Sequence, residues 1–269
     1  MARSDFHRGF EDVDGSGAEP SFFQFLDLAD RLPSIAKYRN RMFELCPVTD
    51  GCLALDVGCG IGNETTRMAH RVGKTGRVTG LDSSEAIINE ARRRAGGLDV
   101  PVHFEIGDVH NLAFDDASFD VCRAERVFIY LENPGKAMEE MARVTRPGGH
   151  VIVFDFDHLA FFIDSDFAPM TRHIEVLLAG APRNPSIGRE IPHLMRGAKL
   201  QIEAIEQMTL APTLAIARRI YAASLLKGIE AQLFTAADVE AWWQEQDARE
   251  QDGTLYHAHP GYLVAALRP

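Results

Sequence analysis

The sequence predicts an α/β fold built on a doubly wound, largely parallel sheet, and three observations support this prediction. Short apolar runs typical of buried strands occur at 52–57, 76–81, 101–106, 118–122 and 149–154. Segments with helical apolar spacing separate most of these runs, at 62–73, 84–96 and 134–145. A glycine-rich turn over 58–62 joins the first run to the first of these helices, where open α/β sheets bind their ligands.

Two helices are predicted on the N-terminal side of this alternating region. The apolar spacing places them over 21–31 and 34–46, with Ser21 and Ser34 as N-caps. The first fifteen or so residues are polar and rich in aspartate, serine and glycine, so we expect a mobile end. Order should begin near Pro20.

After Phe154 the alternation gives way to longer helical segments and two further strands. A proline-rich stretch at 181–185 should interrupt the first helical region. Thr213 and Thr235 precede helical patterns and are predicted to be N-caps. The expected elements are one or two helices within 160–198, a strand over 199–210, helices over 213–231 and 235–250, and a strand over 261–267.

Composition and charge exclude several classes of function. The 28 Lys and Arg residues against 39 Asp and Glu residues give a net charge of −11, which repels nucleic acids and anionic membrane surfaces. No apolar run approaches the roughly 18 to 20 residues of a membrane span, and Met1–Arg8 lacks the apolar core of a signal peptide. We therefore predict a cytoplasmic protein whose four cysteines are reduced, with no metal site.

The glycine-rich turn is compatible with several ligands, and two of them demand residues that are missing. The dinucleotide fingerprint G-x-G-x-x-G requires a glycine or alanine where Asn63 stands. The Gly73-Lys74-Thr75 stretch suggests a phosphate-binding loop, but the glycine required five residues earlier is Met68. A cationic ligand fits better, because Asp56 lies just before the turn.

Acidic residues follow three successive strands of the predicted sheet. Asp56 ends the first strand, Asp82 the second, and Asp108 follows the third. S-adenosylmethionine carries a positive ammonium and sulfonium, ribose hydroxyls and an adenine amino group, each of which a carboxylate accepts well. The three acids together favour this cofactor.

Several motifs in order resemble those of class I S-adenosylmethionine-dependent methyltransferases. They are LDVGCGIGNET at the glycine turn, GLDSSEAII after it, GDVHNLAFDDASFDV, and ARVTRPGGHVIVFDF over 142–156. The sequence is most similar to the group of ubiquinone/menaquinone-biosynthesis and small-molecule natural-product methyltransferases. The resemblance implies a Rossmann-like seven-stranded sheet of order 3-2-1-4-5-7-6, with the last strand antiparallel and a helical cap inserted after the fifth strand.

The same resemblance implies a single methyltransferase domain over 1–269. Its parts would be N-terminal helices (1–50), a cofactor-binding core (51–157), a helical cover (158–198 and 211–253) and the last two strands (199–210 and 261–269). The implied cofactor-binding residues are Tyr38, Asp56, Gly58, Gly60, Gly62, Asp82, Ser83, Gly107, Asp108, Val109 and Arg123. Arg39 stands beside Tyr38 on the helix that often reaches the cofactor in this family.

The methyl acceptor is less defined by the sequence. The fourth strand is followed by Arg126 and Val127, without the histidine that quinone methyltransferases tend to carry there. Candidate general bases are Glu125, His158 and His173. An apolar pocket wall is predicted from Phe22, Phe23, Phe25, Phe161, Phe162, Phe167, Leu177 and Leu178.

The sequence thus favours an enzyme that transfers a methyl group from S-adenosylmethionine to an oxygen or carbon of a small organic acceptor. A phenol, enol, quinol or natural product would fit. A non-catalytic or regulatory S-adenosylmethionine-binding protein on the same fold is the alternative, and an NAD-dependent oxidoreductase is a distant one. The oligomeric state is open between monomer and homodimer.

Overall fold

A mixed sheet of eight strands organises residues 9–269, the part of the chain that the computed structural model describes. The strand order is β3-β2-β1-β4-β5-β8-β6, and β7 pairs with β8 beside this path. The strands are β1 (Leu53–Val57), β2 (Arg77–Asp82), β3 (Val102–Ile106), β4 (Phe119–Glu125), β5 (Thr145–Phe156), β6 (Phe162–Ile163), β7 (Gln201–Leu210) and β8 (His257–Leu267).

The predicted topology is confirmed. Strands β1 to β5 are mutually parallel, whereas β8 runs antiparallel to both β5 and β7. Without the two-residue β6, the order equals the expected 3-2-1-4-5-7-6. Strand β6 is an addition that pairs with Ala258 and His257 at the start of β8.

Helices cover both faces of the sheet. They are α1 (Val13–Ser16), α2 (Glu19–Asp30), α3 (Pro33–Leu45), α4 (Asn63–Val72), α5 (Glu85–Ala95), α6 (Pro134–Val144), α7 (Ala168–Ala179), α8 (Ile187–Gly197), α9 (Leu214–Glu230) and α10 (Ala236–Gln251). Within residues 9–269 no helix is both long and apolar enough to cross a membrane.

Side-chain alternation along each strand divides the sheet core into two layers. Leu55 and Val57 face the layer that contains Met141 of α6 and Ile191 of α8. Ala54 faces the opposite layer, which α3 and α4 cover. A third apolar core, which contains Trp242 of α10, lies among the helices inserted around β7 and holds the cap together.

Two N-cap predictions at the N-terminal helices are wrong. Helix α2 begins after Ala18 and helix α3 after Leu32, and neither uses a serine side chain as its cap. Prolines within the first turn, Pro20 and Pro33, start these helices, because their fixed φ and missing N–H suit a first turn. The predicted caps Thr213 and Thr235 are confirmed by hydrogen bonds to backbone N–H groups.

The expectation of a mobile N-terminal end is wrong for residues 9–15. Helix α1 lies there, and the carboxylate of Asp14 accepts hydrogen bonds from Ser84 Oγ at 2.6 Å and from the backbone N–H groups of Glu85 and Ala86. These groups form the exposed N-terminus of α5, which favours a negative charge. The prediction that Met1–Arg8 lacks the apolar core of a signal peptide concerns residues outside the described part of the chain.

Candidate active site

A cavity of about 420 Å³ opens at the carboxyl ends of β1 to β4. Its walls come from the glycine turn, the loops after β2 and β3, the end of β4, and the cap. Of the fourteen residues nominated for cofactor binding or catalysis, eleven line it, namely Asp56, Gly58, Gly60, Asp82, Ser83, Gly107, Asp108, Val109, Arg123, Glu125 and His158. Tyr38, Gly62 and His173 do not.

The glycine turn is shaped by close packing as well as by positive φ. Gly58 has φ of +64°, and a Cβ on it would overlap Val127 Cγ2. Gly62 has φ of +82°, and a Cβ there would lie 2.7 Å from Phe104 Cζ. Only glycine tolerates both constraints. Gly62 therefore packs against Phe104, on the side of the turn away from the cavity, and is not part of the cavity wall.

Asp82 is a partly buried acid that contacts the glycine turn. Its carboxylate accepts hydrogen bonds from the backbone N–H groups of Gly60 and Ser84, both at 3.1 Å. Burial raises the pKa of Asp82 to about 6 despite these bonds. The carboxylate thus links the glycine turn to the end of β2 while it faces the cavity.

Asp108 is held by its neighbour His110. The carboxylate accepts from the backbone N–H of His110 at 2.9 Å and contacts Nδ1 of the same ring at 2.6 Å. Partial burial tends to raise the pKa of Asp108, but the hydrogen bonds from His110 prevail and the pKa lies below its usual value. Asp108 is therefore an exposed, fixed acceptor at the cavity edge.

Asp56 does not reach into the cavity as a free carboxylate. The β1–β4 register places Asp56 directly opposite Arg123, whose Nη1 lies 3.2 Å from Oδ1. Thr65 Oγ1 donates to Oδ2 at 2.7 Å. Both oxygens are thus engaged inside the protein, and the contact of Asp56 with the cofactor amine, directly or through water, stays a prediction.

Around Asp56 lies a buried ionic cluster, which we define as Asp30, Tyr38, Arg39, Asp56, Glu64, Arg123, Glu125 and Arg126. Arg39 donates to both oxygens of Glu125, at 3.0 and 2.9 Å, and pairs with Asp30 at 2.7 Å. Arg123 contacts Asp56 and Glu125. The cluster connects α2, α3 and α4 to the ends of β1 and β4.

The prediction that Glu125 acts as a general base is corrected by this cluster. Burial alone would raise the pKa of Glu125, but Arg39, Arg123 and Arg126 outweigh it and hold the pKa far below the usual range. A carboxylate that binds protons so weakly is a poor base. Glu125 instead holds the arginines in position.

Tyr38, which the family resemblance nominates for cofactor binding, does not line the cavity. Its hydroxyl donates to Glu125, its ring stacks on Phe154 at 4.0 Å between centroids, and the side chain is fully buried. Tyr38 instead lies behind the cavity wall, where it contacts the lining residue Glu125. The neighbouring Arg39, in contrast, lines the cavity.

Of the two histidine candidates, only His158 reaches the cavity. His158 is buried beside Phe156 and His259, with the two imidazole centroids 4.4 Å apart. The His259 ring stacks on Phe156 at 4.0 Å. His173 lies on the exposed face of α7, so its nomination as a base is wrong.

The aromatic wall predicted for the acceptor is largely wrong as well. Of the eight apolar residues nominated, Phe25 alone lines the cavity. Phe22 packs under α1, whereas Leu178 packs in the cap core. The apolar wall consists of Phe10, Phe25, Leu26, Ile35, Tyr130, Phe156, Leu210, Ile216 and Ile220, most of them brought together from distant elements.

Sequence reasoning missed Asp30, Glu64 and Thr65. Glu64 and Thr65 follow the glycine turn directly, so the position was a usable signal. No sequence signal marked Asp30, because it ends helix α2, far from the glycine turn in sequence, and contacts the cluster only in the folded chain. His259 also lines the cavity, where its ring lies beside that of His158.

Comparison with known proteins agrees with this geometry. Residues 48–195 match the model of a family described as a methyltransferase domain. A protein of transposon Tn4556 from Streptomyces fradiae is 31% identical over 79% of this chain and 60% of its own length. Methyltransferase GfsG of Streptomyces halstedii is 33% identical over 43% of this chain and 42% of its own.

A ubiquinone/menaquinone biosynthesis C-methyltransferase of Bdellovibrio bacteriovorus is 36% identical over 44% of this chain and 50% of its own. The matches thus span about half the length of these curated relatives. Among solved structures, a geranyl diphosphate C-methyltransferase from Streptomyces coelicolor has a TM-score of 0.58 at 18% identity, covering 87% of this chain and 79% of its own. The [4+2]-cyclase SpnF has a TM-score of 0.56 at 23% identity, covering 87% and 80%. The chain belongs to the methyltransferase domain family, with the fold of the class I S-adenosylmethionine-dependent methyltransferases that its motifs resemble.

Proposed function

We propose that the protein transfers a methyl group from S-adenosylmethionine to an oxygen or carbon of a small organic acceptor. One observation carries this proposal. A single cavity runs from the glycine turn and Asp82 to an apolar region beside Phe156 and His158. A site that binds donor and acceptor side by side requires such continuity.

The residues at the first end of the cavity fit the cofactor. Gly60 is less crowded than Gly58 and Gly62, since a Cβ there would meet nothing closer than Leu26 Cδ1 at 3.7 Å, an ordinary contact, and the residue lines the cavity. Asp82 offers a partly buried carboxylate for ribose hydroxyls, and Asp108 with Val109 offers a polar and an apolar contact for adenine. When bound, S-adenosylmethionine supplies an electrophilic methyl group on its sulfonium.

The protein's own contribution is to position the acceptor and exclude water. The apolar wall holds a compact organic molecule, as in most small-molecule sites. Within that wall His158 is a side chain that can accept a proton from an acceptor hydroxyl, because it is buried in the cavity and a neutral imidazole has a basic ring nitrogen. We assign it the role of general base.

The relatives support a small acceptor without naming it. GfsG is called a methyltransferase, and the Bdellovibrio relative acts in ubiquinone/menaquinone biosynthesis. The SpnF structure carries a [4+2]-cyclase on the same fold. A cofactor-binding protein that transfers no methyl group is therefore the second candidate.

The test is incubation of the protein with methyl-labelled S-adenosylmethionine and a panel of phenols, quinols and polyketides. We expect label in at least one product and S-adenosylhomocysteine in equal amount. Calorimetry should show that S-adenosylhomocysteine binds. Binding without transfer to any acceptor would favour the second candidate, and tight NAD binding without S-adenosylhomocysteine binding would exclude both.

A further inference from the structure

Arg126 has an unusual backbone conformation at the end of β4. Its φ is +59°, in the left-handed region that residues with a Cβ rarely adopt. The backbone N–H of Arg126 donates to Phe154 O at 2.8 Å, so pairing with β5 holds this conformation in place. Strained residues of this kind concentrate at functional sites, because the strain persists only where surrounding structure enforces it.

The Arg126 side chain lines the cavity with its charge only partly compensated. Its Nε lies 3.3 Å from Glu125 Oε1, without a hydrogen bond. Within residues 9–269 no group accepts a hydrogen bond from its terminal nitrogens. Glu125 Oε1 already accepts from Tyr38 and Arg39. Asp30 stabilises the charge only as a more distant neighbour.

The other two arginines of the ionic cluster are matched by carboxylates. Arg39 pairs with Asp30, Glu64 and Glu125. Arg123 pairs with Asp56 and Glu125, and lies near Glu64. Among the described residues, Arg126 is therefore the arginine of this cluster that donates no hydrogen bond to a carboxylate, whereas Arg39 and Arg123 each donate to carboxylates.

The position of Arg126 relates this spare cation to the cofactor end of the cavity. The next residue, Val127, packs against Gly58 so closely that no Cβ fits between them. Arg126 thus lies beside the glycine turn, where the proposed cofactor brings positive charge. Two cations in a partly desolvated site repel each other unless an anion lies near both.

We propose that Arg126 binds an ionised oxygen of the methyl acceptor, so that the acceptors are acidic compounds such as carboxylates, phenols or enols. This inference rests on the proposed function, because it names the acceptor class of the same cavity. Hydrogen bonds from a guanidinium to an oxyanion favour the ionised form. Arg126 therefore lowers the pKa of the acceptor hydroxyl, so that its proton passes more readily to His158, the base assigned above, which lines the same cavity.

The test uses 4-nitrophenol, whose absorbance reports its ionisation, on protein saturated with S-adenosylhomocysteine. The neutral 4-nitroaniline serves as the comparison ligand. We expect the wild type to bind the phenolate at least about tenfold more tightly than the aniline and to lower the pKa of bound nitrophenol. The variant R126Q should lose both effects, and R126K should retain part of them.

Affinity for S-adenosylhomocysteine separates this role from its main rival. We expect R126Q to bind S-adenosylhomocysteine within about twofold of the wild type. The exposed Arg172→Gln is the matched control and should change neither ligand. If R126Q instead loses the cofactor product and keeps the phenolate preference, Arg126 binds the carboxylate of the cofactor and the inference is wrong. Absence of any phenolate preference in the wild type also overturns it.

These binding measurements need no methyl transfer. A wild type that prefers the phenolate through Arg126 but transfers no label would retain the oxyanion site and refute only the proposed function. Labelled product from exclusively neutral acceptors would support the proposed methyl transfer and refute the oxyanion site at Arg126.

Discussion

Asp82 shows how burial prepares a single side chain for a ligand. Its carboxylate is partly buried and accepts from two backbone N–H donors, which leaves acceptor capacity directed at the cavity. Charged hydrogen bonds of this type contribute about 1 to 3 kcal/mol each. Asp82 is therefore the residue at which the cofactor proposal is most directly tested.

We predict that Asp82→Asn weakens S-adenosylhomocysteine binding by about 1 to 3 kcal/mol. Isothermal titration calorimetry measures this, and a thermal melt of the free protein checks that the variant is folded. Asp115→Asn, at an exposed position after β3, is the control and should bind normally. An unchanged affinity in Asp82→Asn would remove the ribose role from this residue.

The pKa of Asp82, raised by burial to about 6, also predicts a pH dependence of binding. Ribose hydroxyls donate to the ionised carboxylate, so binding favours deprotonation. Affinity should be constant above about pH 7 and fall below about pH 6, by up to about tenfold per unit as Asp82 takes up a proton. Asp82→Asn should lack this fall. A wild-type affinity that is flat between about pH 5 and pH 7 would contradict the assignment.

His158 is the residue whose role depends most on the acceptor. We predict that His158→Gln lowers methyl transfer about a hundredfold or more while S-adenosylhomocysteine affinity stays unchanged. His173→Gln, on the exposed face of α7, is the control and should retain full activity. Loss of transfer in both variants, or in neither, would show that His158 is not the base.

At the scale of elements, Asp14 of helix α1 binds the N-terminus of helix α5, a contact that we call the clamp. Asp14 binds the first turn of α5, and hydrogen bonding by Ser84 lowers the pKa of this exposed carboxylate. Because Ser84 also accepts from Ile87 N, one side chain caps α5 and binds α1. The clamp lies next to Asp82, which precedes the cap of α5 by two residues.

We predict that Asp14→Ala lowers the free energy of unfolding by about 1 kcal/mol, the usual contribution of an N-cap contact. Urea denaturation measures it, and a double-mutant cycle with Ser84→Ala should reveal coupling between the two sites. Asp12→Ala, which removes only the cap of α1, is the comparison. Additive effects of Asp14→Ala and Ser84→Ala would contradict a direct clamp.

Local signals predicted some elements well and others poorly. Helix α10 begins at a complete capping box between Thr235 and Asp238, a pattern visible in sequence. Strand β4, in contrast, runs to Glu125, although the apolar run ends at Cys122. The polar extension is stable because Arg123 and Glu125 meet partners from β1 and α3, which no local pattern reveals.

At the scale of the molecule, His257 joins the last strand to the cap. Its Nδ1 lies 3.2 Å from the hydroxyl of Tyr221 on α9, and Nε2 lies 2.8 Å from Gln246 Oε1 on α10. Burial lowers the pKa of His257 to about 4, below the usual value of about 6.5. Between about pH 6.5 and pH 4, His257 is therefore protonated in the unfolded chain but neutral in the folded protein.

We predict that this difference destabilises the fold by up to about 3 kcal/mol as the pH falls from about 6.5 to about 4. The raised pKa values of Asp82 and Asp155, about 6 and about 7, act in the opposite direction, because the folded state then binds protons more readily. Urea unfolding across this range should therefore show a more favourable change on acidification in His257→Gln than in the wild type. Equal slopes would refute the role of His257.

The sequence by itself determined the alternation of strands and helices, the glycine turn and the three acids at the strand ends, because these follow from local periodicity and from motifs contiguous in the chain. The sheet order came from the family that those motifs resemble. Tertiary structure alone decided what those side chains meet. The β1–β4 register turned Asp56 toward Arg123, the surrounding arginines removed Glu125 from base chemistry, and the cap packing left His173 in solvent while it buried His158. Charge pairing and burial join residues distant in sequence, so they arise only when the chain is folded.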